Sequence, residues 1–355
     1  MTLLWVDGFD TYNPSDNSQV YLYQGAYDLG QGSNATNNTP YVRTGAQALS
    51  NFDNAQGSFH GWIGRNVGNL RKAWIGAAIY PFTPGTDNIG GIGLGNSPAS
   101  NPWSQGGLGA GGQAVLIQLK ESGQVSVVNS WDTGGGQYYQ TGITTGSPIS
   151  FNTYQYIEMF LDMDAAICQV WLNGNEKILE ITGYPFPGDM LYFNHGLWGQ
   201  HCDGSTAIVM DDIYLDSTTQ QGAQRAYTLF PAGDESGNQW TLSGGTTGFS
   251  LIDSPAYNTG NYIQGASVGA ESAFSMGQLP MTNAVINGMR LTSIEGLATS
   301  GSATTHKSVV IGANTYQAAD VSPDTTPTTY DAMFNTSGIT VPQVNSMIMS
   351  IVKDS

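Results

Sequence analysis

The 355-residue chain carries 27 Asp and Glu against 10 Lys and Arg, a formal charge of −17, while 47 residues are Gly and aromatics stand at 11 %. Aromatic content with so few charges excludes intrinsic disorder, and Gly without a triplet period excludes collagen. Lys and Arg are sparse, their closest grouping being Arg65, Arg71 and Lys72, which excludes a basic groove for nucleic acid.

Met1 runs straight into Leu3-Leu4-Trp5-Val6 with no basic start and no cleavage site, so no signal peptide is predicted and synthesis in a cytoplasm is expected. Apolar runs stay short of the about 20 residues of a membrane helix, so no membrane insertion is expected. Gly or Pro interrupts nearly every window that could hold three helical turns, and short alternating runs bounded by turn residues predict an all-β chain. Residues 3–9 form the first such run. Residues 74–82 form another, ended by Pro81 and Pro84. Residues 113–119 and 124–129 read as a hairpin with Lys120, Glu121 and Ser122 at its tip.

The clearest alternation covers residues 154–172. Ile157, Met159, Leu161 and Met163 share one face, and Tyr156, Glu158, Phe160 and Asp162 the other. Asn173-Gly174 follows, a pair whose positive φ angles suit a tight hairpin, and residues 177–181 return. Residues 206–216 alternate again, with Ala207, Val209, Asp211, Ile213 and Leu215 on one side. A domain spanning 1–218, a linker at 219–222 and a second β-sandwich domain at 223–355 are predicted. The second domain holds strand-like runs at 226–230, 261–264, 284–291 and 307–311. Only 341–352 has helix-like spacing, with a final strand as the alternative.

Glu158 and Asp162 share a face but lie four residues apart, roughly 13 Å along a strand, too far for the about 5 Å carboxyl pair of a retaining glycosidase. They are read as a solvated strand face. Asp211 is expected to point to the apolar side beside Val209 and Ile213, and a buried carboxylate needs donors or a cation. Backbone amides are one answer; Ca²⁺ shared with Asp7 or Asp10 is the other. His195 and His201 near Cys202 lack the paired ligands of structural zinc and are read as loop histidines. Cys168 and Cys202 are read as buried thiols, with a single pairing left open. Gly265-Ala266-Ser267-Val268-Gly269 matches a nucleophile elbow but lacks the surrounding βα pattern. Trp62, Trp74, Trp103, Trp131, Trp171 and Trp198 sit among many Tyr, Asn and Gln residues, the composition of a carbohydrate site. Trp103, Trp131, Tyr138 and Tyr139 fall in Gly-rich loops and are expected to be the exposed, glycan-contacting members.

Val6-Asp7-Gly8-Phe9-Asp10-Thr11-Tyr12, Tyr156-Ile157-Glu158 with Val170-Trp171-Leu172-Asn173-Gly174, and Met210-Asp211-Asp212-Ile213-Tyr214-Leu215-Asp216 together resemble concanavalin-A-like (laminin-G-like) jelly rolls of bacteriophage virion proteins. Ala226-Tyr227-Thr228-Leu229-Phe230-Pro231-Ala232-Gly233-Asp234 and Gln239-Trp240 are similar to a second β domain that follows such jelly rolls. The resemblance implies a structural component of a phage particle, at the tail or baseplate, with a capsid decoration protein or head fibre as the alternative. Implied with it are location in the virion, other virion proteins as partners, and a homo-oligomer or many copies in a symmetric assembly. Host surface glycans are a further partner class, nucleic acid is not. A glycan-degrading enzyme is disfavoured for want of an acid pair, so a non-enzyme is expected. Asp211, Asp212, Asn173 and Gly174 are assigned structural roles, and no cofactor is expected beyond the Ca²⁺ alternative.

Overall fold

The computed structural model describes residues 3–10, 12, 26–31, 34–36, 42–45, 47–50, 59–82, 90–96, 112–120, 122–131, 137–187, 190–202, 208–253, 260–265, 267–336 and 338–355. The chain divides into two compact units, one of Met1–Phe9 and Pro14–Ala226, the other of Asp10–Asn13 and Tyr227–Ser355. Both are built of β-strands, and the fold is all-β with sandwiched sheets of jelly-roll type. Among the described residues no helix is long and apolar enough to cross a membrane.

In the first unit one sheet contains β1 (Leu3–Asp7), β3 (Asn34–Thr36), β4 (Ala48–Ser50), β6 (Lys72–Pro81), β11 (Gln155–Asp162), β12 (Ile167–Leu172), β13 (Glu176–Thr182) and β15 (Ile208–Asp216). Its order is β13-β12-β11-β6-β15-β4-β3, with β1 also paired to β15. The other sheet runs β10-β9-β8-β7-β14-β5-β2, from β2 (Leu29–Gln31), β5 (Phe59–Leu70), β7 (Gly91–Asn96), β8 (Gln113–Leu119), β9 (Val125–Trp131), β10 (Gln137–Ile143) and β14 (Phe193–Cys202). All pairs are antiparallel, as hairpins and long returns allow without a helical crossover. The alternation of β11 sends Ile157, Met159 and Leu161 inward to zero exposure, beside Ile75, Ala77 and Ile79 of β6. Trp198 of β14 crosses between the sheets and donates its indole N–H to Gly76 O at 3.3 Å.

The hairpin at Asn173-Gly174 forms as the pair demands, with φ of 51° and 79°. Asn173 also braces the neighbouring strand: its Oδ1 accepts from Tyr156 N at 3.0 Å and its own N–H donates to Tyr156 O at 2.7 Å. A Cβ on Gly174 would stand 2.7 Å from Ala223 N, so only Gly fits there.

Alternation fails in β15. Asp211 pairs with Ala78 but Tyr214 pairs with Gly76, so three steps on β15 face two on β6. The extra residue makes a bulge at Asp212, whose φ is 49°, and a one-residue bulge reverses the facing of everything beyond it. Val209 and Asp211 therefore do not share the face of Ile213 and Leu215, as the sequence pattern predicts. They lie on the outer face with Tyr80 and Ala78, while Met210 joins the inner one. The three residues His195, His201 and Cys202 belong to strand β14 rather than to a loop.

The second unit has a five-stranded antiparallel sheet ordered β16-β19-β24-β21-β22, from β16 (Pro231–Asp234), β19 (Glu271–Met276), β21 (Thr305–Ile311), β22 (Asn314–Gln317) and β24 (Ile348–Lys353). Two ribbons accompany it: β17 (Thr241–Ser243) with β18 (Tyr262–Gln264), and β20 (Gly288–Glu295) with β23 (Thr328–Asn335). Leu291 of β20 packs with Val309, Ile311, Ile339, Val344 and Met347 as the core. The one-turn helices are α1 (Phe249–Ile252) and α2 (Val341–Val344), the latter closed by a Thr340–Gln343 capping box. Residues 226–230 are not a strand; pairing begins at Pro231. The helix-like spacing of 341–352 resolves into α2 followed by β24.

Candidate functional site

The outer face of the first sheet carries aromatic side chains across three adjacent strands. Register places Trp74 of β6 opposite Phe160 of β11, and Trp171 of β12 opposite Glu158, one pleat along. The rings of Trp74 and Phe160 stack at 4.6 Å with 29° between planes, and Trp171 leans over at 6.3 Å from Trp74. All three are half-buried. Polar groups border them. Lys72 Nζ lies 5.2 Å from the Phe160 ring and 3.2 Å from Asp162, and Lys177 Nζ lies 5.8 Å from the Trp171 ring. The Trp171 indole N–H donates to Gln169 Oε1 at 3.2 Å, and Gln169 Nε2 donates to Glu180 at 2.8 Å. Lys177 pairs with the same Glu180 carboxylate, which holds Glu180 below its ordinary range. Burial pushes Asp162 up, but amide N–H groups of Ala165 and Asp164 together with Lys72 outweigh it and hold that acid low. Stacked rings with amide, carboxylate and ammonium groups at their edge suit the apolar face and the hydroxyls of a sugar ring.

Beside the aromatic patch the same face carries a closed acid network. Glu158 is fully buried. Its carboxylate accepts from the Tyr214 hydroxyl, from Gln220 Nε2 at 2.8 Å and from Gly222 N at 2.9 Å. The reading of Glu158 as a solvated residue is thus corrected: alternation gives its face, and residues 220–222 cover that face. Burial raises its pKa, partly offset by those three donors. Asp211 and Asp212 are buried as well. Asp211 Oδ2 accepts from Arg43 N and Thr44 N at 2.9 and 3.0 Å, and its Oδ1 from Asp212 N at 2.8 Å. Backbone amides satisfy this carboxylate. Asp212 pairs with the Arg43 guanidinium and accepts from Thr44 Oγ1 at 2.9 Å and Ala226 N at 2.7 Å. Burial raises both pKa values, with the mutual repulsion of the two carboxylates adding to that of Asp211 and Arg43 opposing that of Asp212. Gly76 makes room for the network, since a Cβ there would come within 2.4 Å of the Tyr214 ring. These donors fasten residues 220–226 to the sheet and keep the acids out of solvent.

Of the other sequence candidates, Trp103 lies outside the described residues. Trp131 ends strand β9, and Tyr138 and Tyr139 lie in the sheet-edge strand β10, so they occupy paired strands rather than a loop. Tyr139 is 51 % exposed, more than any of Trp74, Phe160 or Trp171. Asp7 is buried, accepting from Phe9 N at 2.7 Å and from the Tyr27 hydroxyl at 2.8 Å. The potential ligand group found among the described residues does not contain Asp7, Asp10 or Asp211. Cys168 is a buried free thiol whose pKa burial pushes up. The sequence offered no sign of Arg43, which meets Asp212 across 169 positions.

No protein-family model and no curated protein matches the sequence. Solved structures similar to this chain include an endo-β-1,4-glucuronan lyase from the fungus Trichoderma reesei, with TM-score 0.42, 11 % identity, and coverage of 56 % of this chain and 95 % of that one. A protein of unknown function with a galectin-like fold from Bacillus subtilis gives TM-score 0.41 and 11 % identity over 61 % of this chain and 96 % of the other. A carbohydrate esterase from the Shiga toxin-encoding bacteriophage phi24B gives 0.36 and 13 % over 56 % and 97 %. The expectation of a non-enzyme is corrected by these findings, since a lyase and an esterase stand among the similar structures.

Proposed function

We propose that the first unit engages a glycan on its Trp74–Phe160–Trp171 face, and that the chain does so as a component of a phage particle. The observation that carries the glycan reading is the half-exposed stack itself, bordered by Gln169, Lys177, Lys72 and Asp162. A sheet face presents such rings in one plane, and an amide–carboxylate border supplies hydroxyl partners. The particle reading rests on the sequence likeness to phage jelly rolls, with the tail or baseplate favoured and the capsid surface as the other location. Other virion proteins are then its partners, and repeated copies turn one weak sugar contact into avidity.

Retention of the full chain on immobilised host surface polysaccharide tests the site. Trp74→Ala and Trp171→Ala should each weaken binding on the order of tenfold, as loss of an aromatic anchor does, with circular dichroism unchanged. Undiminished binding by both variants, or no retention of the wild type on any host polysaccharide, refutes the site. Immunogold labelling of purified particles tests the location, and a chain absent from particles refutes that part.

A further inference from the structure

The second unit gathers a mixed donor set that plays no part in the aromatic face. His306 lies in β21, Asp320 in the connection from β22 to β23, and Asp354 directly after β24. One ligand atom from each lies within 4.8 Å of the other two. His306 Nδ1 stands 2.9 Å from both carboxylate oxygens of Asp354. The backbone ties the three segments side by side: Thr305 and Val321 exchange N–H···O bonds of 3.0 and 2.8 Å, and Asp354 N donates to Thr304 O at 2.8 Å. These backbone bonds hold the three donor-bearing segments in place beside one another.

The charge is unbalanced. Two carboxylates converge on one imidazole, and a protonated ring offsets only one of them. Residues 227–355 contain three basic side chains, Arg290, Lys307 and Lys353. Arg290 is engaged with Asp331 and Lys307 with Glu295. The His306–Asp354 contact uses one aspartate, and Asp320 brings a second carboxylate within 4.8 Å of the same imidazole. One imidazole nitrogen with two carboxylate oxygens is a borderline donor set, suited to Zn²⁺ and its neighbours rather than to Ca²⁺ or Mg²⁺, which take oxygen alone. We propose that His306, Asp320 and Asp354 form a binding site for a divalent transition-metal ion of the Zn²⁺ class, with water in the remaining positions. His306 and Asp354 are half-buried and Asp320 is exposed, so the ion enters directly from solvent.

The full chain, freed of any polyhistidine tag and stripped with EDTA, is titrated with Zn²⁺ by calorimetry and with Co²⁺ by visible absorbance. One equivalent should bind, with a Co²⁺ ligand-field band, and His306→Ala should weaken affinity by more than about tenfold. Asp320→Asn, at an exposed position, should do the same and carries the decision where His306→Ala loses the fold. Absence of heat and of a Co²⁺ band at millimolar metal overturns the site. So does equal affinity in wild type and Asp320→Asn.

Discussion

Replacing Glu158 by Ala removes the acceptor on which three donors converge. The Tyr214 hydroxyl is fully buried and is left short of an acceptor at a cost of roughly 2 kcal/mol, and the partly buried Gly222 N–H adds about 1. Gln220 can turn to water and adds little. Relief of the buried charge offsets some of the lost packing, so the net loss is about 3 kcal/mol, or roughly 6–12 °C in the melting temperature of a unit this size. Seven of the eight tryptophans precede residue 226, so fluorescence in a urea titration of the full chain reads the first unit. Glu158→Gln separates charge from hydrogen bonding, because it keeps one oxygen for Tyr214 and Gly222 and has no charge to bury. It should fall within about 1 kcal/mol of wild type at pH 7. The two proteins should differ in pH dependence. Burial raises the folded-state pKa of Glu158 above its unfolded value, so above about pH 4.3 the folded chain holds a proton that the unfolded chain has released. The contribution of this group to stability is therefore greatest in acid, falls as pH rises through that interval, and levels off above the folded pKa. Glu158→Gln should lack that fall. An Ala variant as stable as wild type, or a Gln variant with the same pH slope as wild type, would refute the reasoning.

Three further outcomes are expected. Arg43→Met leaves Asp212 buried without its cation and should cost the first unit roughly 3 kcal/mol by urea titration; no loss would mean that Thr44 and Ala226 suffice. Gly76→Ala drives a methyl to 2.4 Å from the Tyr214 ring and should lower the same midpoint by about 1–3 kcal/mol, whereas an unchanged midpoint would show that the ring yields. Lys307 is 2 % exposed and donates to Ser293 Oγ at 2.7 Å and Glu295 Oε1 at 2.6 Å. Lys307→Met should destabilise the second unit by about 3–5 kcal/mol, measured by hydrogen exchange in β20 and β21; unaltered protection there would contradict the buried-pair account.

Local rules carried far in this chain, and their failures have a common cause. The alternation of residues 155–162 and the Asn173-Gly174 pair each depend on neighbours a few positions away, and both form as the sequence predicts. Strand alternation names a face but says nothing of what lies over it, so Glu158 looked solvated although residues 220–222 close on it. The bulge at Asp212 inserts one residue and exchanges the facing of Asp211 and Ile213; no residue type there announces it, because Gly is the usual sign and Asp stands instead. Trp74, Phe160 and Trp171 were visible singly as aromatic residues, but their stack follows from the register among β6, β11 and β12. His306, Asp320 and Asp354 lie 14 and 34 positions apart, a spacing with no local motif, and backbone bonds from Val321 to Thr305 and from Asp354 to Thr304 bring them together.

The pairing of β1 with β15 has a consequence for synthesis. Leu3 meets Asp216 and Asp7 meets Ile213, so β1 waits for a partner made more than 200 residues later. Contacts so distant in sequence form late, and at about 5–20 residues per second the wait on the ribosome is roughly 10–40 s. For that interval Trp5 and the hydrogen-bonding edge of β1 have no β15 to cover them, and an uncovered strand edge is open to mispairing with other chains. Ribosome-stalled chains ending before Ile208 should be cut by protease within β1, and chains whose Asp216 has cleared the exit tunnel should resist.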